Sequence, residues 1–599
     1  MQTQNALIMK ALRNASCAIF LFAASTCWAQ PVLSPAPKPP SGARTTVFIS
    51  DLHLGLGRVA KDPVTGTWSV GGWHPMEDFR WHANLDAFLS ELEARSRRTK
   101  TPTDLVILGD FLELWQTPWA DRDCIYDKSG KPLTAGAEDA KNSQLNLSCA
   151  EADALRRLTR VLGAHEQTLK RLGKYAMSGD NRLFIVPGNH DAALVYPKVA
   201  GEVLKKIGAS AGRVRIAVEG YWLSADGLII GEHGHLWKDD VNAYARLPAS
   251  CLDVSGKDVK CDSGNPGTFL LRPWGEQFVQ SYYNKYEEQF SIVDNLSNEL
   301  YGAKLAMREA GLAVTLDAIA KGFQFLLFGQ SWDQFAALLG DKDDQMLGAG
   351  GGAPDWDLKA IRKQGDSFLV ESLPRTDPIR PAAEKAVAEG KLGLRLATLD
   401  DAQIRELCDL RAALYEAART KSQPAPVDLC PGQRSLGAIK SALMTTVAQR
   451  MKHRVDQLRA SLPATGRPNK DFSVYVYGHT HSAHNVCKPV QALSAKLPSD
   501  AWNPAVINSG AWQRVISQRL FEEWQQDAKK KNKPLSAYTP EDLPECYSMV
   551  VIPSYQQDPK AKPEPQLLFW ARDPETKTWD FLDICPQDSL RAAGNPCGS

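Results

Sequence analysis

Five short apolar runs, each followed by a cluster of polar residues, constrain the fold of this chain more than any other feature. The runs are rich in β-branched, aromatic and aliphatic residues, which is typical of buried strands. They occupy residues 45–49, 105–108, 183–186, 228–230 and 474–477. The residues that follow them are mainly Asp, Asn, His and Gly. The sequence therefore predicts five strands that carry polar side chains at their carboxyl ends.

Helical patterns near residues 82–97 and 151–172 separate the first three runs. Strands that alternate with helices indicate a largely parallel sheet with both faces covered. Ligands of such sheets bind beyond the carboxyl ends of the strands. We therefore expect an α/β fold in which the polar clusters meet at one site.

The polar clusters contain side chains that bind divalent metals. Asp51 and His53 are two residues apart, so on an extended strand they would share a face. The candidate ligands are Asp51, His53, Asp110, Asn189, His233, His479 and His481. Such a mixture of oxygen and nitrogen donors suits Zn²⁺, Mn²⁺ or Fe²⁺. Two such ions side by side would activate a water and stabilise both the attacking and the leaving oxygen of a displacement reaction.

The ordered set of motifs resembles that of the calcineurin-like metallophosphoesterases. It comprises Asp51-x-His53, Gly109-Asp110, Gly188-Asn189-His190-Asp191, His233-Gly234-His235 and Gly478-His479-x-His481. The resemblance implies a β-sandwich flanked by helices. It also implies one metal held by Asp51, His53, Asp110 and His481, and a second held by Asp110, Asn189, His233 and His479. His190 would protonate the leaving oxygen or steady the phosphoryl group, and Asp191 would orient the His190 ring.

The resemblance implies that the protein would hydrolyse a phosphomonoester or phosphodiester through a hydroxide that bridges two divalent metal ions. Glu113 stands where many family members have a second Asp, a variant similar to UDP-2,3-diacylglucosamine pyrophosphohydrolases. Cleavage of a pyrophosphate bond in a nucleotide-linked or lipid-linked substrate is therefore the alternative reaction. A non-catalytic metal-dependent binding protein is the alternative of another class, although every expected ligand is present.

Some residues near the motifs have two interpretations. Either histidine of His233-Gly234-His235 could face the metal, and the resemblance favours His233. Four tryptophans follow the motifs closely and could pack beneath the site or form an aromatic rim for a substrate, with packing favoured. They are Trp115, Trp119, Trp237 and Trp512.

The N-terminus has the features of a secretory signal peptide. Lys10 and Arg13 precede an apolar run at residues 15–24, and Ala29 ends a candidate cleavage site. Lipid attachment at Cys27 and an uncleaved anchor are the alternatives. No later apolar run reaches the length of about 18 residues that a membrane span needs. We therefore expect a periplasmic or secreted protein without a transmembrane segment after signal cleavage.

Composition, strand pattern and the resemblance together divide the rest of the chain into four parts. They are a Pro-rich linker at 30–44, a first metallophosphoesterase part at 45–238, a mainly helical insertion at 239–470, and a second part with C-terminal strands at 471–599. The formal net charge of +1 gives no general attraction to nucleic acid. We therefore expect no nucleic-acid partner. The resemblance implies a small phosphorylated or lipid-phosphate substrate, and the sequence leaves the oligomeric state open.

Ten cysteines remain after the signal segment, an even number that suggests disulfides in an oxidising compartment. Pairing of neighbours along the chain is the simplest hypothesis. It gives Cys124–Cys149, Cys251–Cys261, Cys408–Cys430, Cys487–Cys546 and Cys585–Cys597.

Overall fold

The computed structural model describes the parts of the chain that carry the predicted motifs. The described ranges are 42–58, 72–117, 147–210, 212–235, 251–253, 257–261, 267–271, most of 273–296, 471–481, 483–486, 504–527, 533–556 and 561–588, with a few single residues between 297 and 470. All of them belong to one compact unit, Pro39–Ser599. The predicted signal peptide and almost all of the predicted linker lie outside the described residues.

The described residues form a mixed α/β structure, as the sequence predicts. The strands are β1 (Thr45–Ile49), β2 (Thr103–Leu108), β3 (Leu147–Ala150), β4 (Arg182–Val186), β5 (Val214–Ile216), β6 (Tyr221–Leu223), β7 (Ile229–Glu232), β8 (Cys251–Leu252), β9 (Asp258–Val259), β10 (Phe269–Leu271), β11 (Val474–Tyr477), β12 (His484–Val486), β13 (Ala505–Asn508), β14 (Cys546–Ile552), β15 (Gln566–Arg572) and β16 (Trp579–Leu582). The α-helices are α1 (His82–Thr99), α2 (Glu151–Ala164), α3 (Glu166–Ala176), α4 (Pro197–Ile207), α5 (Asn284–Glu287) and α6 (Gln518–Gln526). All five apolar runs are strands, namely β1, β2, β4, β7 and β11.

A seven-stranded sheet forms the first layer, in the order β16-β15-β14-β1-β2-β4-β5. Strands β1, β2, β4 and β5 are parallel, whereas β14 pairs with β1 in the antiparallel sense. The register pairs Ile49 with Ile107, and Leu108 with Val186. The carboxyl ends of β1, β2 and β4 therefore lie side by side at one edge of the sheet.

A five-stranded sheet forms the second layer, in the order β12-β13-β11-β7-β6, with β7, β11 and β13 parallel. Its inner face shares one buried apolar cluster with the first sheet, so the two sheets pack face to face. Phe48 of β1 contacts Trp222 of β6 edge to face, with ring centroids 5.4 Å apart. Val106 and Val476 belong to the same cluster. This packing brings the carboxyl ends of β7 and β11 close to those of the first sheet.

Helices α1 to α4 cover the outer face of the seven-stranded sheet. Phe88 and Leu169, on two of these helices, lie in the same buried cluster as Ile107 of the sheet. The sequence predicts a single helix near 151–172, but the chain forms two helices, α2 and α3, which meet at His165. Helix α4 begins with Pro197 and ends before Gly208, which has φ 73°. Proline suits the first turn of a helix, and glycine readily adopts the left-handed backbone that stops one.

The described part of the interval 239–470 contains strands as well as helix. Strands β8, β9 and β10 join β3 in a four-stranded sheet of order β3-β10-β8-β9. A π-helical turn at Val279–Tyr283 leads into α5, followed by turns up to residue 296. The rest of the predicted helical insertion lies outside the described residues, so that prediction stays a prediction. Among the described residues, no helix is long and apolar enough to cross a membrane.

Two disulfides are formed between described cysteines. Cys251–Cys261 confirms the predicted pair. Cys546 pairs with Cys585, so the predicted pairs Cys487–Cys546 and Cys585–Cys597 are wrong. The reason lies in the meander of β14, β15 and β16, which brings the start of β14 beside the chain that leaves β16. Cys149 is also disulfide-bonded; its predicted partner lies outside the described residues, as does the predicted pair Cys408–Cys430.

We expect the Cys546–Cys585 bond to stabilise the fold through the length of chain that it closes. The two cysteines are 39 residues apart, against 10 for Cys251 and Cys261. Loop-closure entropy then predicts a loss of about 4 kcal/mol in the free energy of unfolding for C546A/C585A, against about 3 kcal/mol for C251A/C261A. Urea denaturation of both double variants would measure these losses. Equal stability of C546A/C585A and the unmodified protein would contradict the expectation.

Candidate metal centre

The carboxyl ends of five strands from two sheets converge on one group of polar side chains. Asp51 and His53 follow β1, Asp110 follows β2, and Asn189 and His190 follow β4. His233 follows β7, and His479 and His481 follow β11. The structure thus brings all seven candidate ligands and His190 together.

The backbone at these strand ends is left-handed at several non-glycine residues. Within the described part of the chain, seven non-glycine residues have positive φ, and five of them are candidate ligands. The five are Asp51, His53, Asp110, His479 and His481. Each such residue costs on the order of 1 kcal/mol or more and persists only where the surrounding structure enforces it. The strain is therefore concentrated at the convergence of the strand ends.

The first group of possible ligands consists of Asp51, His53 and His481. Each offers a donor atom, and the three atoms lie within 4.8 Å of one another. Asp51 Oδ1 is 3.4 Å from His481 Nε2 and 3.9 Å from His53 Nε2. Both Asp51 Oδ1 and His53 Nε2 are buried and make no hydrogen bond in the described part of the protein. A cation between these atoms would satisfy both of them.

The second group consists of Asp110, His233 and His479, with Asn189 beside them. His233 Nδ1 donates a hydrogen bond to the carbonyl oxygen of Leu108 at 2.7 Å. His233 Nε2 therefore faces two acceptors, Asp110 Oδ2 at 3.0 Å and Asn189 Oδ1 at 2.9 Å. Three electron-rich atoms at this separation need a proton or a metal between them. The donor set fits a borderline divalent ion.

The charges of the site are balanced internally. Burial favours neutral carboxyls, but the surrounding imidazoles, His233 foremost, hold the pKa of Asp51 and of Asp110 below the ordinary value. Burial likewise opposes charge on the imidazoles, yet the nearby carboxylates raise the pKa of His53 and of His233. Because metals replace protons at such sites, this environment favours bound cations.

Glu113 links the first group to His190, a role that the sequence analysis missed. Its Oε2 accepts a hydrogen bond from His53 Nδ1 at 2.8 Å and another from His190 Nδ1 at 2.5 Å. Burial alone would raise the pKa of Glu113, but His190 and His53 lower it to about 2, so the carboxylate stays ionised. The bond to His53 Nδ1 leaves His53 Nε2 to face Asp51 and Asp110. The position of Glu113 three residues after Asp110 was the available signal.

Asp191 does not have the contact that the sequence predicts for it. Its carboxylate accepts hydrogen bonds from the backbone N–H groups of Gly188, Phe111 and Leu112, at 2.6, 2.9 and 3.2 Å. Orientation of the His190 ring falls instead to Glu113, because the ring nitrogen Nδ1 points towards that side chain. Asp191 therefore joins the loops after β2 and β4.

The remaining predicted residues pack around the site. His235 is buried, with its ring centroid 5.3 Å from that of His233, but only His233 belongs to a possible ligand group. Trp115 stacks on the His190 ring at 4.1 Å and is 4 % exposed. Trp512 stacks on Tyr547 and is fully buried. Both tryptophans are packing residues and not an aromatic rim; Trp119 and Trp237 lie outside the described residues.

Comparisons with known proteins do not assign this chain to a family, since no family model, curated protein or solved structure matches it.

Two glycines allow the loops after β2, β4 and β7 to lie close together. Gly109 has φ 80°, and a Cβ at this position would collide with the His233 ring. A Cβ at Gly188 would collide with the carboxylate and the backbone nitrogen of Asp110. Side chains at either position would separate the ligands that come from β2, β4 and β7.

We expect Gly109→Ala to weaken metal binding, because the methyl group displaces His233. By analogy with the loss of residues that hold a ligand in place, affinity should fall by about 10–100-fold. The matched control is Gly163→Ala in α2, where a Cβ meets no atom within 4 Å and the helix gains up to about 1 kcal/mol. Metal content after dialysis and isothermal titration would measure the effect. Unchanged affinity in Gly109→Ala would show that His233 is not a ligand.

Proposed function

We propose that this chain is a dinuclear-metal phosphoesterase of the calcineurin-like type, which hydrolyses a phosphomonoester or phosphodiester. One observation carries the proposal: two groups of possible ligands, Asp51–His53–His481 and Asp110–His233–His479, lie side by side at the convergence of two sheets. His53 Nε2 is 3.8 Å from Asp110 Oδ2, so the two groups are in contact through these atoms. Asp110 is accordingly the residue best placed to bind both metal ions.

The donor sets support two borderline divalent ions, Mn²⁺, Zn²⁺ or Fe²⁺. When bound, such ions activate water and neutralise the charge that develops on the phosphoryl oxygens. The residues that would hold them are Asp51, His53, Asp110, Asn189, His233, His479 and His481. The backbone N–H of His479 donates to Asp51 Oδ2 at 3.1 Å, and that of His190 donates to Asp110 Oδ1 at 2.9 Å. These two bonds fix the carboxylates while leaving their other oxygens towards the ligand groups.

His190 is the residue proposed to donate a proton to the leaving oxygen. The ionised Glu113 accepts from His190 Nδ1, which orients the ring and leaves Nε2 as the nitrogen that would donate to the leaving oxygen. Stacking on Trp115 holds the plane of the ring. Unlike most of the candidate ligands, His190 is partly exposed, with 14 % of its side chain accessible. A substrate oxygen can therefore reach it.

The proposed substrate would be met outside the cytoplasm. The two disulfides are compatible with an oxidising compartment. Residues 1–29 are proposed to be a cleaved signal peptide, which makes the protein periplasmic or secreted. Pyrophosphate-bond cleavage remains the second candidate reaction, favoured by the placement of Glu113 and Trp115 beside His190.

Removal of a ligand should abolish turnover. We expect His53→Ala and Asp110→Ala to lose at least about 10³-fold in kcat/KM on p-nitrophenyl phosphate or bis-p-nitrophenyl phosphate with Mn²⁺ or Zn²⁺, because the ions supply most of the electrostatic stabilisation. His82→Gln is the control, since His82 lies in α1 and bonds Thr168 away from the site. The preferred ester would separate monoesterase from diesterase. A folded protein that binds no metal would rule out the proposal.

His190→Ala should separate chemistry from metal binding. We expect kcat to fall by about 10²–10⁴-fold, the usual contribution of a positioned acid, while the metal content stays that of the unmodified protein. The loss should be smaller with leaving groups of low pKa, which need no proton. An equal loss with all leaving groups, or loss of metal, would contradict the role as a proton donor.

A further inference from the structure

A second cluster of acidic side chains lies near the metal centre and shares no ligand with it. It consists of Asp78, in the segment before α1, Glu287 at the end of α5, and Asp294 in the turns that follow. One oxygen from each lies within 4.8 Å of the others. Asp78 is 3 % exposed and Glu287 is fully buried. Three carboxyl groups are thus brought together largely out of water.

The oxygens of this cluster are not all satisfied. Asp78 Oδ1 and Glu287 Oε1 are buried and have no hydrogen-bond partner among the described residues. Gln116 adds a separate, neutral group, since its Nε2 donates to Glu287 Oε2 at 2.5 Å and to Asp294 Oδ2 at 3.1 Å. The amide oxygen of Gln116 is also buried and has no hydrogen-bond partner among the described residues, and the residue is only 2 % exposed. In the described part of the chain, three buried oxygens on neighbouring residues therefore lack a donor.

The charges of this cluster favour bound protons or a bound cation. Burial and the neighbouring Asp294 raise the pKa of Asp78 and of Glu287 well above the ordinary value. His53 lowers the pKa of both, but its ring is hydrogen-bonded to Glu113. Buried carboxyls that lack positive partners bind either protons or a metal.

We propose that Asp78, Glu287 and Asp294, together with the amide oxygen of Gln116, form a calcium site distinct from the metal centre. All of its ligands are oxygens, which suits a hard cation, and Ca²⁺ accepts six to eight oxygens in flexible geometry. A half-turn of the Gln116 amide exchanges its nitrogen for its oxygen without moving the rest of the side chain.

The site would have a structural role. Its ligands come from three segments: the loop before α1, the turn after β2, and the stretch 284–296. That stretch belongs to the interval 239–470. Calcium would hold this stretch against the loops that carry Glu113 and Trp115. The inference does not depend on the proposed reaction, because it concerns separate residues and a different cation.

The test uses the full chain, stripped of metal with a chelator and titrated with Ca²⁺ by calorimetry and by thermal unfolding. We expect saturable binding and an increase in Tm. E287Q/D294N should lose the calorimetric signal and the increase in Tm, whereas the control Asp51→Asn, in the metal centre, should retain both.

A milder variant keeps the proposal testable if E287Q/D294N does not fold. Gln116→Met leaves all three carboxylates and removes only the amide, so calcium affinity should fall by about tenfold or more. Calcium binding that is lost in Asp51→Asn but kept in the cluster variants would overturn the proposal, since the ion would then occupy the metal centre. Absence of calcium binding in the unmodified protein would also overturn it and would mean that the cluster holds protons.

Discussion

The rest of the structure depends on two buried carboxylates, Asp51 and Asp110, which lie where the two sheets meet. Such groups repel each other and lose hydration, so they persist only where positive groups surround them. His233 supplies the largest compensation to both carboxylates. Because His233 comes from the second sheet, the two layers must pack closely for the charges to balance. The charge balance of the site therefore depends on how closely the two sheets pack.

That requirement explains features of the core that sequence patterns do not express. Gly231 of β7 faces Leu108 and Phe48, and a Cβ there would press against both side chains. The two sheets thus approach closely two residues before His233. Left-handed residues at the strand ends cost conformational energy. The large buried cluster between the sheets, which includes Phe48 and Trp222, supplies the rigidity that keeps them in place.

The sequence predicted the parts of the site that depend on local pattern. Each ligand follows an apolar run, and parallel strands bring such ends together whatever the details of packing. The sequence did not predict contacts that depend on how separate segments pack together in the fold. Asp191 is next to His190 in the sequence, whereas Glu113 comes from the turn after β2. The conformation of that turn places the Glu113 carboxylate against the His190 ring. The Cys546–Cys585 bond likewise depends on the meander of β14 to β16, which spacing along the chain does not encode.

The two sides of the turn after β2 show how one short segment can serve two kinds of cation. Glu113 accepts hydrogen bonds from two imidazoles, and its bond to His53 Nδ1 leaves His53 Nε2 facing the candidate metal ligands Asp51 and Asp110. Three residues later, the amide nitrogen of Gln116 donates hydrogen bonds to the carboxylates of Glu287 and Asp294. Nitrogen-rich and oxygen-only ligand sets select different metals, because borderline ions prefer imidazole and calcium prefers oxygen. Neighbouring sites of this kind can be filled independently, so a structural ion beside the metal centre need not compete with the ions proposed for catalysis.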